Sequence, residues 1–232
     1  MKSNVSPATS ALLPPALAGM RPVALLLDFD GVVVDSVKVK VDAYLQIYHG
    51  EAADNLRAVA AHQRLHGGVT RSVMFRYFET EIFGRSVSDE SIRALSAAYT
   101  QQVHAAVLGS PLIPGARALL ERARGHAAVH VISGTPQEEL DDIVVRRGLA
   151  PYFVSWRGAP TTKIAAFREI IENRAYAPER VLAIGDALTE LEAATTLGIP
   201  FLGICSDEAM QFPPGVPVLP SLEGVSEALG FS

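Results

Sequence analysis

Short apolar runs that end at polar or acidic residues are the feature that most limits how this chain of 232 residues can fold. The runs cover residues 23–27, 128–132, 181–184 and 199–204. Continuous apolar runs of this length are typical of strands that are buried on both faces. The sequence therefore predicts a set of buried strands in which the first ends at Asp28.

Helix signals lie between these runs. One helix is predicted to open at residues 114–120, a second to run from Pro136 to Arg147, and a third from Thr161 to Asn173. Proline in the first turn marks the start of the first of these helices, and Gly148 ends the second. Strands that alternate with helices form a parallel sheet covered on both faces. We therefore predict an α/β fold with a Rossmann-like, doubly wound parallel sheet.

The segment of residues 36–110 has a different pattern. It contains no strand-like apolar run, and its apolar residues recur at helical spacing. This predicts an all-helical cap domain inserted into an α/β core that comprises residues 22–35 and 111–232. An insert at this point would lie over the carboxyl ends of the strands, where open sheets of this type bind ligands.

The N-terminal segment, residues 1–21, is rich in proline, serine and alanine, and we predict that it is a disordered leader. A signal peptide is the alternative, because Lys2 precedes a weakly apolar run. Pro14 and Pro15 interrupt that run, which favours the leader. No later run reaches the ~20 uninterrupted apolar residues of a membrane helix.

Charge and cysteine content narrow the choice of partners. A formal net charge of −5 gives no general attraction to nucleic acid or anionic lipid, which bind clustered basic residues. The single cysteine, Cys205, cannot form an internal disulfide, as expected of a protein in the reducing cytoplasm. We therefore expect a cytoplasmic protein with no nucleic-acid or membrane partner. Its oligomeric state stays open.

Two carboxylates follow the first predicted strand. Asp28 and Asp30 lie just before Gly31, which allows the chain to turn away sharply. One carboxylate can act as a nucleophile and the other as an acid and base. An ordinary strand-to-loop turn explains an isolated pair equally well.

Polar groups follow the other strands too. Ser133 and Gly134 offer a hydroxyl and a backbone amide close to a predicted helix start, which attracts phosphate. Lys163 can neutralise a phosphate, and Asp186 and Glu190 supply the oxygen ligands that Mg²⁺ prefers. A helix cap, a solvated lysine and an acidic first turn are the alternatives. The shared position of these groups at strand ends favours a single site.

The four groups together resemble the motifs of the haloacid dehalogenase superfamily, in particular the members with a helical cap that resemble phosphoglycolate phosphatase and β-phosphoglucomutase. The resemblance extends from about Val23 to Gly203. The matching residues are Asp28 with Asp30, Ser133, Lys163, and Gly185–Asp186 with Glu190. One residue departs from the pattern, because the family usually has aspartate where Glu190 stands.

The resemblance implies a Mg²⁺-dependent phosphatase that acts on a small phosphorylated metabolite through an aspartyl phosphate. Asp28 would attack phosphorus, and Asp30 would protonate the leaving oxygen and then activate water. Ser133, Gly134 and Lys163 would hold the phosphoryl oxygens.

The resemblance also implies how the metal is held. Mg²⁺ would bind Asp28, the backbone carbonyl of Asp30, and Asp186. Glu190 is longer than the usual aspartate, so it would either reach the metal through water or bind Lys163 instead.

Cap residues give weaker signals. Residues 67–71 resemble the substrate-facing loop of related capped phosphatases and mutases, and Arg71 is a candidate for binding an anionic substrate. An exposed arginine in a turn between helices is the alternative. Lys38 and Lys40, near the start of the cap, are expected to be solvated.

Other functions stay open at this stage. A phosphomutase of the β-phosphoglucomutase type shares the same core motifs. A dehalogenase is disfavoured by Asp30 and Asp186, and a phosphonate hydrolase by the lack of a cap lysine in a supporting context. A non-catalytic binding module would be expected to lose Asp28 or Asp30. The motifs do not identify the substrate.

Overall fold

Six parallel strands form the central sheet of this protein, whose computed structural model describes residues 13–205 and 212–231. The strands are β1 (Ala24–Asp28), β2 (Ala128–Pro136), β3 (Ser155–Ala159), β4 (Val181–Gly185), β5 (Phe201–Ile204) and β6 (Val218–Leu219). Their order across the sheet is β3-β2-β1-β4-β5-β6. The order reverses at β1, so the carboxyl ends of β1, β2 and β4 border the crevice in which doubly wound sheets bind ligands. The predicted fold class is confirmed.

Helices cover both faces of the sheet. Four further helices, which follow β1 and precede β2 in the sequence, form a separate layer. The helices are α1 (Val37–Ile47), α2 (Ala53–Leu65), α3 (Arg71–Tyr77), α4 (Asp89–Gly109), α5 (Ala116–Ala123), α6 (Gln137–Arg146), α7 (Lys163–Arg174), α8 (Leu188–Leu197) and α9 (Val225–Ala228). None of these described helices has the length and apolar character needed to cross a membrane.

The apolar sequence of β1 follows from burial on both sides. Leu25 and Leu27 belong to a cluster that includes residues of α5, α6 and α9. Ala24 and Leu26 point the other way, into a cluster with α7 and α8. Because neither face meets water, the strand is apolar throughout instead of alternating with polar residues.

Helices α1 to α4 form the all-helical cap. Its centre is an aromatic cluster in which the ring centroid of Tyr44 lies 5.1 Å from that of Phe75, 5.2 Å from Phe78 and 4.2 Å from Tyr99. Such ring pairs add to the stabilisation that burial provides. A short π-helical segment, Phe78–Ile82, follows α3 and brings Phe78 into this cluster. The cap therefore has an apolar core of its own.

The chain enters and leaves the cap at one point. Val34 makes a parallel β-bridge to Asp30 and an antiparallel one to Leu112, which ties the two connections together. The four cap helices all fall within residues 36–110. The division of the chain into domains at those bounds stays a prediction.

Strand β2 is longer than the sequence analysis predicted. It does not end at Ile132 but continues through Ser133 and Gly134 to Pro136, and α6 begins only after it. The extension pairs with β3 after a shift of register between Ile132 and Pro136. Ser133 and Gly134 therefore belong to the irregular end of a strand and not to a loop before a helix.

The N-terminal segment also differs from its prediction. Pro15–Leu17 form a turn of 3₁₀-helix, and the side chains of Leu13 and Leu17 are buried in the main apolar cluster. The predicted disordered leader therefore cannot extend to residue 21, because these leucines find an apolar surface to cover. Residues 1–12 lie outside the part of the chain that the structure describes.

Replacement of Leu17 with alanine tests this packing. We expect Leu17→Ala to lower the free energy of unfolding by about 2–4 kcal/mol, because it removes a buried side chain and leaves a cavity. Urea denaturation measures the change. Val145→Ala, at a position that is 62% exposed, is the control and should change stability by less than about 0.5 kcal/mol. A similarly small effect of Leu17→Ala would show that the segment is not packed.

Candidate active site

A buried lysine joins the carboxyl ends of the central strands. Lys163, the first residue of α7, donates hydrogen bonds from Nζ to Oδ1 of Asp28 at 2.5 Å and to the backbone carbonyl oxygen of Ile132 at 2.6 Å. The same Nζ lies 2.8 Å from Oε1 of Glu190, in the first turn of α8. The side chains of the three ionic groups are each at most 5% exposed. Residues far apart in sequence therefore meet in one dry site, as their positions at strand ends predicted.

Asp28, Asp186 and Glu190 form an acidic cluster beside this lysine. Each offers a carboxylate oxygen, and the three oxygens lie within 4.8 Å of one another. Such hard oxygen donors are the ligands that Mg²⁺ takes, typically a few carboxylates with retained water. The donor set therefore fits the predicted metal. Gly31 borders the cluster at φ +80°, where a Cβ atom would collide with the Asp186 carboxylate.

Glu190 is held by protein groups. Its Oε1 faces Lys163 and accepts a hydrogen bond from the Thr189 hydroxyl at 3.0 Å. Its Oε2 accepts one from the backbone amide of Ala187 at 3.2 Å. This arrangement matches one of the two alternatives given for Glu190, in which the longer side chain binds Lys163.

The acidic cluster has more negative charge than Lys163 can balance. Burial raises the pKa of Asp28 to about 6, although Lys163 opposes the shift. Burial and the neighbouring Asp28 and Glu190 raise the pKa of Asp186 well above its usual range. Burial alone would lower the pKa of Lys163, but Asp28 and Glu190 more than reverse that effect and raise it. The site is therefore suited to a further cation.

Asp30 occupies a different environment. Its Oδ1 accepts a hydrogen bond from the Ser36 hydroxyl at 2.6 Å, and its Oδ2 accepts from Lys40 at 2.5 Å and from the Ser133 hydroxyl at 3.1 Å. Burial by itself raises the pKa of Asp30, but Lys40 and these hydroxyls outweigh it and lower the pKa below its usual value. The two carboxylates of the first motif are thus shifted in opposite directions.

Lys40 is not solvated, contrary to the sequence-based expectation. Its side chain is 12% exposed, and Nζ bonds to Thr135 at 2.9 Å as well as to Asp30. Lys38, in contrast, is 83% exposed in its side chain, as expected. The spacing of Lys40 could have indicated its burial. Lys40 lies four residues before the buried Tyr44, so the two side chains share one face of α1.

Arg71 is buried and paired. Its guanidinium forms an ion pair with Glu139 of α6 at 3.0 Å, donates to the hydroxyl of Thr100, and lies 4.5 Å from the ring centroid of Tyr99. Neither sequence-based hypothesis predicted this environment. One made Arg71 a group that binds an anionic substrate, and the other made it an exposed arginine in a turn. Glu139 drew no attention in the sequence, because its importance depends on how the cap packs against the core.

A small cavity lies between the cap and the core, next to Asp30. Its volume is about 20 Å³. It is lined by Lys40, Tyr44, Gln63, Gly67, Val69, Arg71, Tyr99, Gly134 and Thr135. A space of this size holds about one water molecule, so this cavity is too small for a whole substrate.

Comparison with known proteins identifies relatives of this arrangement. Residues 23–198 match the model of the haloacid dehalogenase-like hydrolase family. No curated protein matches the sequence.

Several solved structures share the fold. CbbY from Rhodobacter sphaeroides, in complex with phosphate, has a TM-score of 0.70 at 16% identity, over 90% of this chain and 99% of that chain. A predicted phosphoglycolate phosphatase from Haemophilus somnus has a TM-score of 0.68 at 16% identity, over 90% and 98%. YfnB from Bacillus subtilis, named as a HAD-hydrolase and bound to magnesium, has a TM-score of 0.67 at 17% identity, over 90% and 99%.

Removal of the central lysine tests the charge balance of the site. In the presence of a chelator at pH 7, we expect Lys163→Met to lower the free energy of unfolding by about 3 kcal/mol or more, because it leaves buried carboxylates unpaired. The double variant Lys163→Met/Glu190→Gln should recover part of this loss. Lys38→Met is the exposed control. Equal effects of the two lysine substitutions in urea denaturation would contradict the balance described above.

Proposed function

The chain belongs to the haloacid dehalogenase-like hydrolase family, and we propose that it is a Mg²⁺-dependent phosphatase that acts on a small phosphorylated metabolite. The observation that carries the proposal is the contrast between its two motif carboxylates. Asp28 lies against Lys163 at the proposed metal cluster, whereas Asp30 faces the cap and is surrounded by hydroxyl and ammonium donors. A nucleophile beside a separate proton-transfer group is the arrangement that two-step ester hydrolysis requires.

In the first step, an oxygen of Asp28 attacks phosphorus and the bond from phosphorus to the ester oxygen breaks. Lys163 and the backbone amide of Phe29, which donates to Asp28 Oδ1 at 2.7 Å, hold the carboxylate in one orientation. When a bound substrate separates Asp30 from Lys40, the ammonium group no longer lowers the pKa of Asp30, so Asp30 can carry a proton. Asp30 gives that proton to the leaving oxygen, and the products are an aspartyl phosphate and an alcohol. Ser133 and Gly134, at the irregular end of β2, bind phosphoryl oxygens.

In the second step, water attacks the phosphorus of the aspartyl phosphate. Asp30, now a carboxylate, accepts a proton from that water, so the same residue acts first as acid and then as base. Phosphate is released and Asp28 is regenerated. The Ser36 hydroxyl keeps Asp30 directed toward the reacting groups in both steps.

The acidic cluster would hold the metal. Asp28, Asp186 and the backbone carbonyl of Asp30 are the proposed ligands, and Glu190 contributes through water because both of its oxygens are bound by protein groups. When bound, Mg²⁺ would neutralise the carboxylates and the phosphoryl oxygens. Lys163 supplies the remaining positive charge from the protein side.

The first experiment is a screen of phosphorylated metabolites for Mg²⁺-dependent release of phosphate. It tests the reaction class and the substrate together. Incubation with β-glucose 1-phosphate and a trace of the bisphosphate primer separates a phosphatase from the alternative, a β-phosphoglucomutase-type mutase. Formation of glucose 6-phosphate faster than release of phosphate would replace the proposal with the mutase.

Substitution of the nucleophile should abolish turnover. We expect Asp28→Asn to reduce kcat by at least about 1,000-fold, because the amide keeps the shape of the side chain but cannot attack phosphorus. Asp30→Asn should also be severe. Asp35→Asn, on an exposed residue of the same loop, is the matched control and should stay within about twofold of wild type. An Asp28→Asn enzyme that kept a tenth of the activity would exclude the covalent mechanism.

Removal of the metal should be reversible and selective. We expect a chelator to stop phosphate release, Mg²⁺ to restore it and Ca²⁺ to restore little, because the longer bonds of Ca²⁺ disturb the in-line geometry. Glu190→Gln should raise the Mg²⁺ concentration needed for half-maximal rate and lower the rate in part. Full activity in excess chelator would contradict the proposed metal site, and an unchanged Mg²⁺ requirement would limit Glu190 to its bonds with Lys163 and Ala187.

A further inference from the structure

Both cations that line the cavity between the cap and the core already have carboxylate partners. Lys40 of α1 pairs with Asp30 at 2.5 Å, and Arg71 of α3 pairs with Glu139 of α6 at 3.0 Å. In each pair the cation comes from the cap and the carboxylate from the core. In this structure each cation of the cavity wall is therefore already paired with a carboxylate of the core.

The pair of Arg71 and Glu139 is the more secluded of the two. Their side chains are 8% and 7% exposed, and the guanidinium also contacts Thr100 and the ring of Tyr99. A charged group that loses its partner in such an environment is strongly destabilised. A second anion on the substrate could bind Arg71 only by competing with Glu139, and two negative groups would then share one guanidinium.

One polar group of the cavity wall has no protein partner. Gln63 of α2 is 5% exposed and lines the cavity, and among the described residues its side-chain amide makes no hydrogen bond. The amide atoms of Gln63 retain access to the cavity, so a polar group bound there can complete their hydrogen bonds. An amide offers both a donor and an acceptor, which matches a hydroxyl group.

We propose, on the basis of the phosphatase function above, that the leaving group of the substrate is uncharged and carries hydroxyl groups, as in a sugar or polyol monophosphate. Glu139 is the residue that excludes a second phosphate or carboxylate, and Gln63 is the residue that binds a hydroxyl. The opening of the cap does not change this, because closure of the cap brings Arg71 back to Glu139, which stays on the core. A bisphosphate, which a mutase must bind, is excluded for the same reason.

Two pairs of esters of matched size test this specificity. The first is 2-hydroxyethyl phosphate against 2-phosphoglycolate, and the second is glycerol 3-phosphate against 3-phosphoglycerate. Within each pair a CH₂OH group replaces a carboxylate. We expect wild-type kcat/KM to favour the uncharged member by at least about tenfold, and the inhibition constant of each ester against p-nitrophenyl phosphate hydrolysis to follow the same order.

Substitutions at the ion pair assign the effect to Glu139. Glu139→Gln keeps the shape of the side chain but leaves Arg71 with an unbalanced charge, so the preference should fall at least about tenfold toward the carboxylate esters. The double variant Arg71→Gln/Glu139→Gln removes the freed cation and should restore the preference for uncharged esters. Glu138→Gln makes the same change of charge at an exposed position of α6 and should leave the preference unaltered.

Gln63 is tested with Gln63→Met, which is similar in size but cannot donate or accept hydrogen bonds. We expect kcat/KM for the hydroxyl-bearing esters to fall about tenfold, and that for p-nitrophenyl phosphate, which has no hydroxyl to bind, to change by less than about twofold. Equal losses on both kinds of substrate would contradict a hydroxyl-binding role for this residue.

The outcomes separate this inference from the proposed function. p-Nitrophenyl phosphate and acetyl phosphate have no second anionic group, so their Mg²⁺-dependent hydrolysis reports the phosphatase reaction alone. If both are hydrolysed but the carboxylate esters bind as well as or better than their uncharged partners, the inference is wrong and the phosphatase stands. If neither is hydrolysed, both proposals fail. If the Glu139→Gln variant keeps the wild-type preference for uncharged esters, Glu139 does not determine that preference.

Discussion

The buried contact of Lys163 with Asp28 and Glu190 is the interaction on which the site depends. Three strands end and two helices begin around it, and each places a charged or polar group where water is excluded. Such a concentration of carboxylates would be unstable without a cation at its centre. The lysine is therefore a structural requirement of the crevice as well as part of its chemistry.

The sequence predicted the core of this structure well, for a physical reason. A strand buried on both faces must be apolar throughout, so the run before Asp28 identified both the strand and its position inside a parallel sheet. The polar residues after each run then had to meet at one edge. The sequence did not predict the extension of β2 through Ser133, because that extension depends on irregular pairing with β3. It also did not predict the packing of Leu17, because a proline-rich segment gives no periodic signal.

The contacts between the cap and the core were beyond the sequence. Lys40 and Glu139 are ordinary residues of amphipathic helices, and only the docking of one layer on the other turns them into partners of Asp30 and Arg71. Motifs identify the groups that the reaction requires. Substrate specificity, in contrast, depends on contacts between the cap and the core, and the residues that make these contacts have no fixed spacing in the sequence. For this reason the motifs predicted the hydrolase family, whereas nothing in the sequence indicated the ion pairs between the cap and the core.

The β-bridges at Val34 affect how the cap can move relative to the core. Because Val34 forms β-bridges with both Asp30 and Leu112, the two connections to the cap lie side by side, and a rotation of the cap would turn about that point. Groups near the pivot, including Asp30, would scarcely move, whereas Gln63 on α2 would travel farther. Such a rotation would therefore change the cap wall of the crevice while the reaction centre stayed in place.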